Sequence, residues 1–199
     1  MSKMQKKQDI IDHAFELFYD QGFNTGVDAI MADTGISKRT LYKYFPSKEV
    51  LIAELVEHYR VNVIPLLRAE VERLSPDPKG RLIALFDVRQ AKFAEGCFRG
   101  CFAVSAKLEY ACRNPQIEAA SEAMMADMTG LMREFCVLTG HSDPDTLTAQ
   151  AMVLFNGAVV AAQASRSAAP FDTAKGILRA LLSFPRPRGE RVAEQSEAG

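Results

Sequence analysis

Apolar residues recur every three to four positions along most of the chain, and no strand pattern or internal repeat is evident. Ile10, Ile11, Ala14, Phe15, Leu17 and Phe18 follow this spacing between Lys6, Lys7, Asp12 and Glu16. That predicts an amphipathic helix over residues 5–21, closed by Gly22 and Phe23. Thr25-Gly-Val-Asp28 has the form of a capping box for a second helix reaching Thr34. A short third helix follows Gly35, with Leu41 and Phe45 as its inward i, i+4 pair. Ser47 caps a fourth, which continues through Leu51, Leu55, Val56, Tyr59 and Val63 towards Leu74. Pro65 lies inside it and cannot donate to the carbonyl of Val61, so a kink or an early end is expected there.

The turn cluster Ser75-Pro-Asp-Pro-Lys-Gly80 marks the next break. A helix over 81–95 carries Leu82, Leu85, Phe86, Val88 and Phe93, and Gly96-Cys-Phe-Arg-Gly-Cys-Phe102 interrupts it. A sixth helix reaches Cys112, where Asn114-Pro115 stops it. Residues 116–139 form a long helix with Met124, Met125, Met128, Leu131, Met132 and Phe135 inside. Residues 145–167 follow, uncharged from Thr146 to Ser165, and Gly157 there lets another helix approach closely. A last helix spans 171–184, and Pro185-Arg-Pro-Arg-Gly with the remainder reads as a disordered tail. The expected class is all-α, with about nine helices.

The stretch from Gly35 to Lys48 carries the most specific chemistry. Glycine takes a positive φ without steric cost, which suits a tight turn between two short helices. Ser37 is positioned to cap the helix that follows. From Ser37 to Lys48 the chain has four cations (Lys38, Arg39, Lys43, Lys48) and no acid, with Thr40, Tyr42 and Tyr44 among them. Such a helix after a Gly turn is the chemistry of a helix-turn-helix reading duplex DNA. Cations supply affinity through phosphates, and polar side chains near the helix start reach base edges.

The run from Ile30 to Leu51, with Gly35, Ser37, Leu41-Tyr42, Tyr44-Phe45 and Ser47-Lys48-Glu49 at matching spacing, resembles the DNA-binding signature of the TetR/AcrR family of transcriptional regulators. The resemblance covers roughly residues 6–52. Thr34 stands where the family has a small Ala, and the loop after Gly22 is one residue short. The resemblance implies a three-helix DNA-binding domain over 1–48 and a helical effector-binding and dimerisation domain over 49–184, with 185–199 as the tail. Lys38, Arg39 and Thr40 are then expected at the major-groove edge, and Tyr42, Lys43, Tyr44 and Lys48 on phosphates. Thr25 adds a contact from the start of the second helix, and Ser37 belongs to the same expected DNA-binding set. Which of Lys38 and Arg39 reads bases stays open. The implied partners are a pseudo-palindromic operator, a second copy paired through residues 145–184, and a small effector. Tyr59, Phe93, Phe98, Phe102, Tyr110, Met124 and Met128 offer that effector an apolar, adaptable lining; each also suits plain core.

Composition narrows the alternatives. With 48% apolar and 25% charged residues and a net charge of −1, the chain suits a soluble protein whose nucleic-acid chemistry is local. The charged start lacks a hydrophobic signal region, and the uncharged 146–165 stretch keeps Gln150, Asn156 and Gln163, so a cytoplasmic protein is expected. Cys97, Cys101, Cys112 and Cys136 form no zinc-like pairs, so neither metal nor cofactor is expected. Cys97 and Cys101 are four apart, and a thiol-based oxidant or electrophile sensor on the same fold is one alternative. A helical ligand-binding dimer without DNA binding is another. An enzyme using Cys97 or Cys101 is disfavoured, because His13, His58 and His141 are scattered and none is placed beside a cysteine.

Overall fold

The computed structural model describes residues 3–96, 98–111 and 113–183, which form nine helices and no strand. They are α1 (Lys3–Gln21), α2 (Val27–Thr34), α3 (Lys38–Tyr44), α4 (Lys48–Leu74), α5 (Pro78–Ala94), α6 (Phe102–Tyr110), α7 (Pro115–Leu138), α8 (Pro144–Ser165) and α9 (Ala169–Ser183). Side-chain caps start most of the body helices: the oxygens of Ser47, Asp77, Asn114 and Asp143 accept orphan N–H groups of α4, α5, α7 and α8. Pro78, Pro115 and Pro144 stand in the first turn, where a missing N–H costs nothing.

Two apolar clusters fill the interior. The first packs α4's second half, α5, α7, α8 and α9 around Phe86, Phe135, Phe155 and Phe171. The second gathers α1, α2 and α3 with the first half of α4, then continues into the body through Phe102, Ala103, Ala106, Ile117 and Met124. The apolar interior therefore does not divide at residue 48. Phe102 is its hinge pin: the rings of Phe15, Tyr19, Phe23 and Tyr59 surround it at centroid distances of 5.1, 6.4, 5.0 and 6.1 Å. Such pairs add ~0.5–1.5 kcal/mol each beyond the area they bury. Polar ties reinforce the seam. The Tyr19 hydroxyl donates to the Gly100 carbonyl (3.2 Å) and accepts from the Arg99 N–H (3.2 Å), and the Arg99 guanidinium meets Asp20 at 2.8 Å. Glycine suits the left-handed backbone at position 100, φ 89°, where an added Cβ would also have to push aside the Gln163 amide 2.8 Å away.

α4 links both clusters. Its buried positions are Leu51, Ile52, Leu55, Val56 and Tyr59, then Leu67 and Val71, leaving a gap between 59 and 67. It runs unbroken through Pro65, which removes the early-end alternative. Arg60 to Asp127 (2.5 Å) and the Arg68–Glu134 fork (2.6 Å) stitch α4 to α7. At their exposure these pairs contribute ~0–1 kcal/mol each. α8 is long and apolar enough by composition to cross a membrane. It instead buries Leu147, Ala151, Phe155, Ala158 and Ala162 in the first cluster.

One local expectation changes. α2 begins at Val27 with Gly26 as N-cap and no side-chain cap bond, so Thr25-Gly-Val-Asp28 does not form a capping box. Residues 98–101 are not helical. Cys97, Cys112 and the segment 184–199, including the expected tail, lie outside the described residues.

Phe102→Ala should cost ~3–5 kcal/mol, and Phe102→Leu clearly less, read as loss of Tm at fixed protein concentration. An equal, small loss in both variants contradicts a central role for that ring.

Candidate nucleic-acid interface and neighbouring cavity

α2 ends where Gly35 turns left-handed at φ 65° and donates its N–H to the Met31 carbonyl at 2.9 Å. Two residues on, extended Ser37 caps α3: its Oγ accepts the Thr40 N–H at 3.2 Å and lies 2.9 Å from Thr40 Oγ1. Leu41 and Phe45 are fully buried in the second cluster, and this anchors α3 from one side only. The opposite side is open. Lys38, Arg39, Tyr42 and Lys43 are exposed, while Thr40 and Tyr44 are half-buried, the Tyr44 ring leaning on Phe45 at 6.4 Å. Lys38 Nζ lies 3.7 Å from Asp28, an exposed pair worth little. Arg39 and Lys43 make no ion pair among the described residues.

Two expected contacts behave differently. Lys48 turns inward: its ammonium donates to the Phe23 carbonyl at 2.5 Å and sits 5.5 Å over the Phe18 ring. It ties the start of α4 to the loop after α1. Thr25 lies in that loop, half-buried, its N–H on the Gly22 carbonyl at 3.2 Å.

A cavity of about 880 Å³ opens between α1, α4 and α5, where α4 leaves its gap. Phe15 and Tyr19 of α1 face Tyr59, Val63 and Leu66 of α4 and Val88 and Arg89 of α5, with Phe98 at one end. A smaller cavity of about 250 Å³ lies on the far side of Arg89 and Phe98, lined by Met124, Met128 and Cys101. Of the expected lining, Tyr59, Phe98, Met124 and Met128 thus reach a cavity. Phe93, Phe102 and Tyr110 reach neither: Phe93 packs on Phe98 and Phe171, Phe102 fills the head–body seam, and Tyr110 sets its edge on Phe23 at 6.0 Å. Phe15, Tyr19 and Arg89 were missed by sequence reasoning. Arg89 left a signal, since it continues the Leu82, Leu85, Phe86 stripe, where a cation is out of place. Cys101 is half-buried, and burial pushes the Cys136 thiol up, away from reactivity. Among the described residues no group of His, Cys, Asp and Glu has metal-site geometry.

The geometry of the head matches comparisons with known proteins. Residues 10–55 fit the sequence profile of the bacterial regulatory proteins of the tetR family. The head, residues 10–55, is thus similar to the DNA-binding domain of the tetR family. The HTH-type transcriptional regulator YuxN of Bacillus subtilis (strain 168) is 41% identical over 56 residues. That match spans 28% of this chain and 19% of the relative, so the likeness is one of heads. The TetR-type fold extends further. A TetR-family regulator from Cytophaga hutchinsonii superposes with a TM-score of 0.80 at 17% identity, over 94% of this chain and 99% of its own. One from Streptomyces coelicolor gives 0.76 at 23%, over 88% and 93%. The reduced form of Escherichia coli NemR gives 0.75 at 20%, over 90% and 98%. At these identities the body is shared as a fold alone.

Gly35→Ala should destabilise the head by ~1–2 kcal/mol through backbone strain alone, since nothing lies within 4 Å of the added Cβ. Gly35→Asn should cost less, because Asn tolerates the left-handed region. Denaturant melts of the two variants check the order; equal losses contradict it.

Proposed function

We propose that the chain is a cytoplasmic, homodimeric repressor. Its head, residues 1–48, grips a pseudo-palindromic operator, and its body, residues 49–184, releases that operator when a small apolar molecule enters. The observation that carries this is the one-sided anchoring of α3. Leu41 and Phe45 hold the helix in the core while Lys38, Arg39, Tyr42 and Lys43 face outward. Lys38, Arg39 and Thr40, on the first turn, approach base edges. Tyr42, Lys43 and Tyr44 meet phosphates. Lys48 supports them by fixing the loop between α1 and α2, from which Thr25 approaches the backbone.

Dimerisation is supported by the outer face of α8 and α9. Val153 is 73% exposed and Ile177 is exposed too, both lining the shallow groove along Gly157, Ala158 and Ala161. Large apolar side chains left open along a helix with no charge after Asp145 mark an interaction face. Pairing α8 and α9 with their copies makes a four-helix interface and fixes the two α3 helices as a unit. Reading successive major grooves then requires ~34–36 Å between them.

The larger cavity supplies the switch. Its walls include α1 of the head and α4 and α5 of the body, so a ligand there changes how the head seats. Complete release requires the ligand to prefer the released arrangement by ~5.5 kcal/mol.

Two measurements test the reading. In anisotropy titrations with DNA flanking the gene, Lys43→Ala should weaken binding to every sequence and flatten the salt slope by about one. Arg39→Ala should instead erode sequence preference, by ~1–3 kcal/mol if it reads a base. No salt-sensitive binding to any genomic fragment contradicts the operator reading. In sedimentation, Val153→Glu should shift the chain from dimer to monomer; an unchanged dimer contradicts the α8–α9 interface.

A further inference from the structure

Arg89 is the one buried cation among the described residues without an acid. Its residue is 8% exposed, and its side chain lines both cavities, forming part of the wall between them. The guanidinium lies 5.9 Å over the Phe155 ring, and no carboxylate among the described residues is within ion-pair distance. Every other charged side chain around the larger cavity has its partner. Arg73 meets Glu70 at 2.6 Å, Lys92 meets Glu95 at 2.9 Å, and Asp87 meets Lys175 at 2.7 Å. His58 faces Asp12 at 3.7 Å.

A second unmet group stands beside it. Tyr59 lines the same cavity, and its buried hydroxyl has no hydrogen-bond partner among the described residues. Arg89 is close enough to interact with it, but outside strict hydrogen-bond geometry. Burial pushes that hydroxyl above the usual phenol range, so at neutral pH it is a neutral donor and gives Arg89 no counter-charge. The Tyr19 hydroxyl is already engaged on both sides by Gly100 and Arg99.

Two neighbouring donors without an acid, one of them charged, thus stand in the wall of a chamber whose other charges are paired. A guanidinium presents a planar fork that matches a carboxylate's two oxygens. One unpaired positive charge balances one negative charge. Glu70, Asp87 and Glu95 around the rest of the wall disfavour a second. We infer that the cavity takes a hydrophobic monoanion, a carboxylate on an apolar body, with its headgroup on Arg89 and Tyr59 and its carbon body against Phe15, Val63 and Phe98. This rests on the effector cavity proposed above and names the chemistry of its occupant.

The test is calorimetric titration of the full chain, without DNA, using decanoate and 4-phenylbutanoate against their primary amides. The amides keep the shape and lose the charge. At least one acid should bind tenfold or more tighter than its amide. Arg89→Met should remove that preference while keeping the amide affinity, and Tyr59→Phe should weaken the acid severalfold. Equal binding of acid and amide, no binding of either acid, or a preference that survives in Arg89→Met overturns the inference. If Arg89→Met does not fold, the acid-to-amide ratio in the unaltered chain decides. Arg89-dependent acid binding with unchanged operator affinity would sink the release mechanism and leave this site standing.

Discussion

The packing of Phe102 against the rings of α1 and α4 is the constraint on which the rest of the protein depends. α2 has eight residues and α3 has seven, far too short to persist alone. α1 is longer, but its apolar stripe needs a partner. These helices become a rigid head only by sharing a core with the first half of α4 and with the start of α6. The orientation of α3 is therefore set partly by residues more than fifty positions away. A head built this way is not an independent bead on a linker, and a disturbance at the seam reaches the reading helix through side chains already in contact.

The same seam explains where the large cavity lies. α4 serves the head core up to Tyr59 and the body core from Leu67 onward. A straight helix cannot fill both and the space between. The intervening turn leaves Val63 half-covered and Leu66 at the mouth, 68% exposed. The two buried cations show what such a gap permits. Lys175 is held by Asp87, Asp172 and Gln90 at 2.7, 3.0 and 2.6 Å, a satisfied structural charge. Arg89, on the cavity wall, has the Phe155 face and the neutral Tyr59 hydroxyl beside it but no acid among the described residues. Burying an unpaired charge costs several kcal/mol, and a packed structural site would have relieved it. A position that keeps that cost is one where the missing partner comes from outside.

Much of this was legible in the sequence, because the governing forces there are local. Gly35 needs a positive φ, Ser37 needs an orphan N–H, and Leu41 with Phe45 must lie on one face; none of these depends on distant residues. Helix boundaries marked by Pro78, Asn114-Pro115 and Asp143-Pro144 lie within three residues of their sequence positions for the same reason. The readings that changed depend on tertiary contact. Lys48 looked like one more cation in a basic run, and only the carbonyl of Phe23, a loop away, reveals its inward turn. The Thr25 capping box satisfied the pattern, but α2 starts later, with Gly26 as its cap. Phe93, Phe102 and Tyr110 were indistinguishable from lining residues until their neighbours were known, since an aromatic ring suits a core and a cavity equally.

Coupling between ligand and reading helix then needs no long pathway. Phe15 and Tyr19 both line the cavity and both belong to the ring cluster around Phe102. Tyr19 also carries the hydrogen bonds that fix the 99–100 turn to α1. A molecule entering between α1 and α5 thus presses on the same side chains that seat the head. Close-packed interiors respond to such pressure by shifting between discrete packings rather than by yielding gradually. With Leu41 and Phe45 locked into that shared core, any new seating of α1 carries α3 with it. In a dimer joined through α8 and α9, a small rotation of each head about the Phe102 seam is enlarged at the far ends of the two heads. The spacing of the α3 pair is therefore the quantity most sensitive to what occupies the cavity.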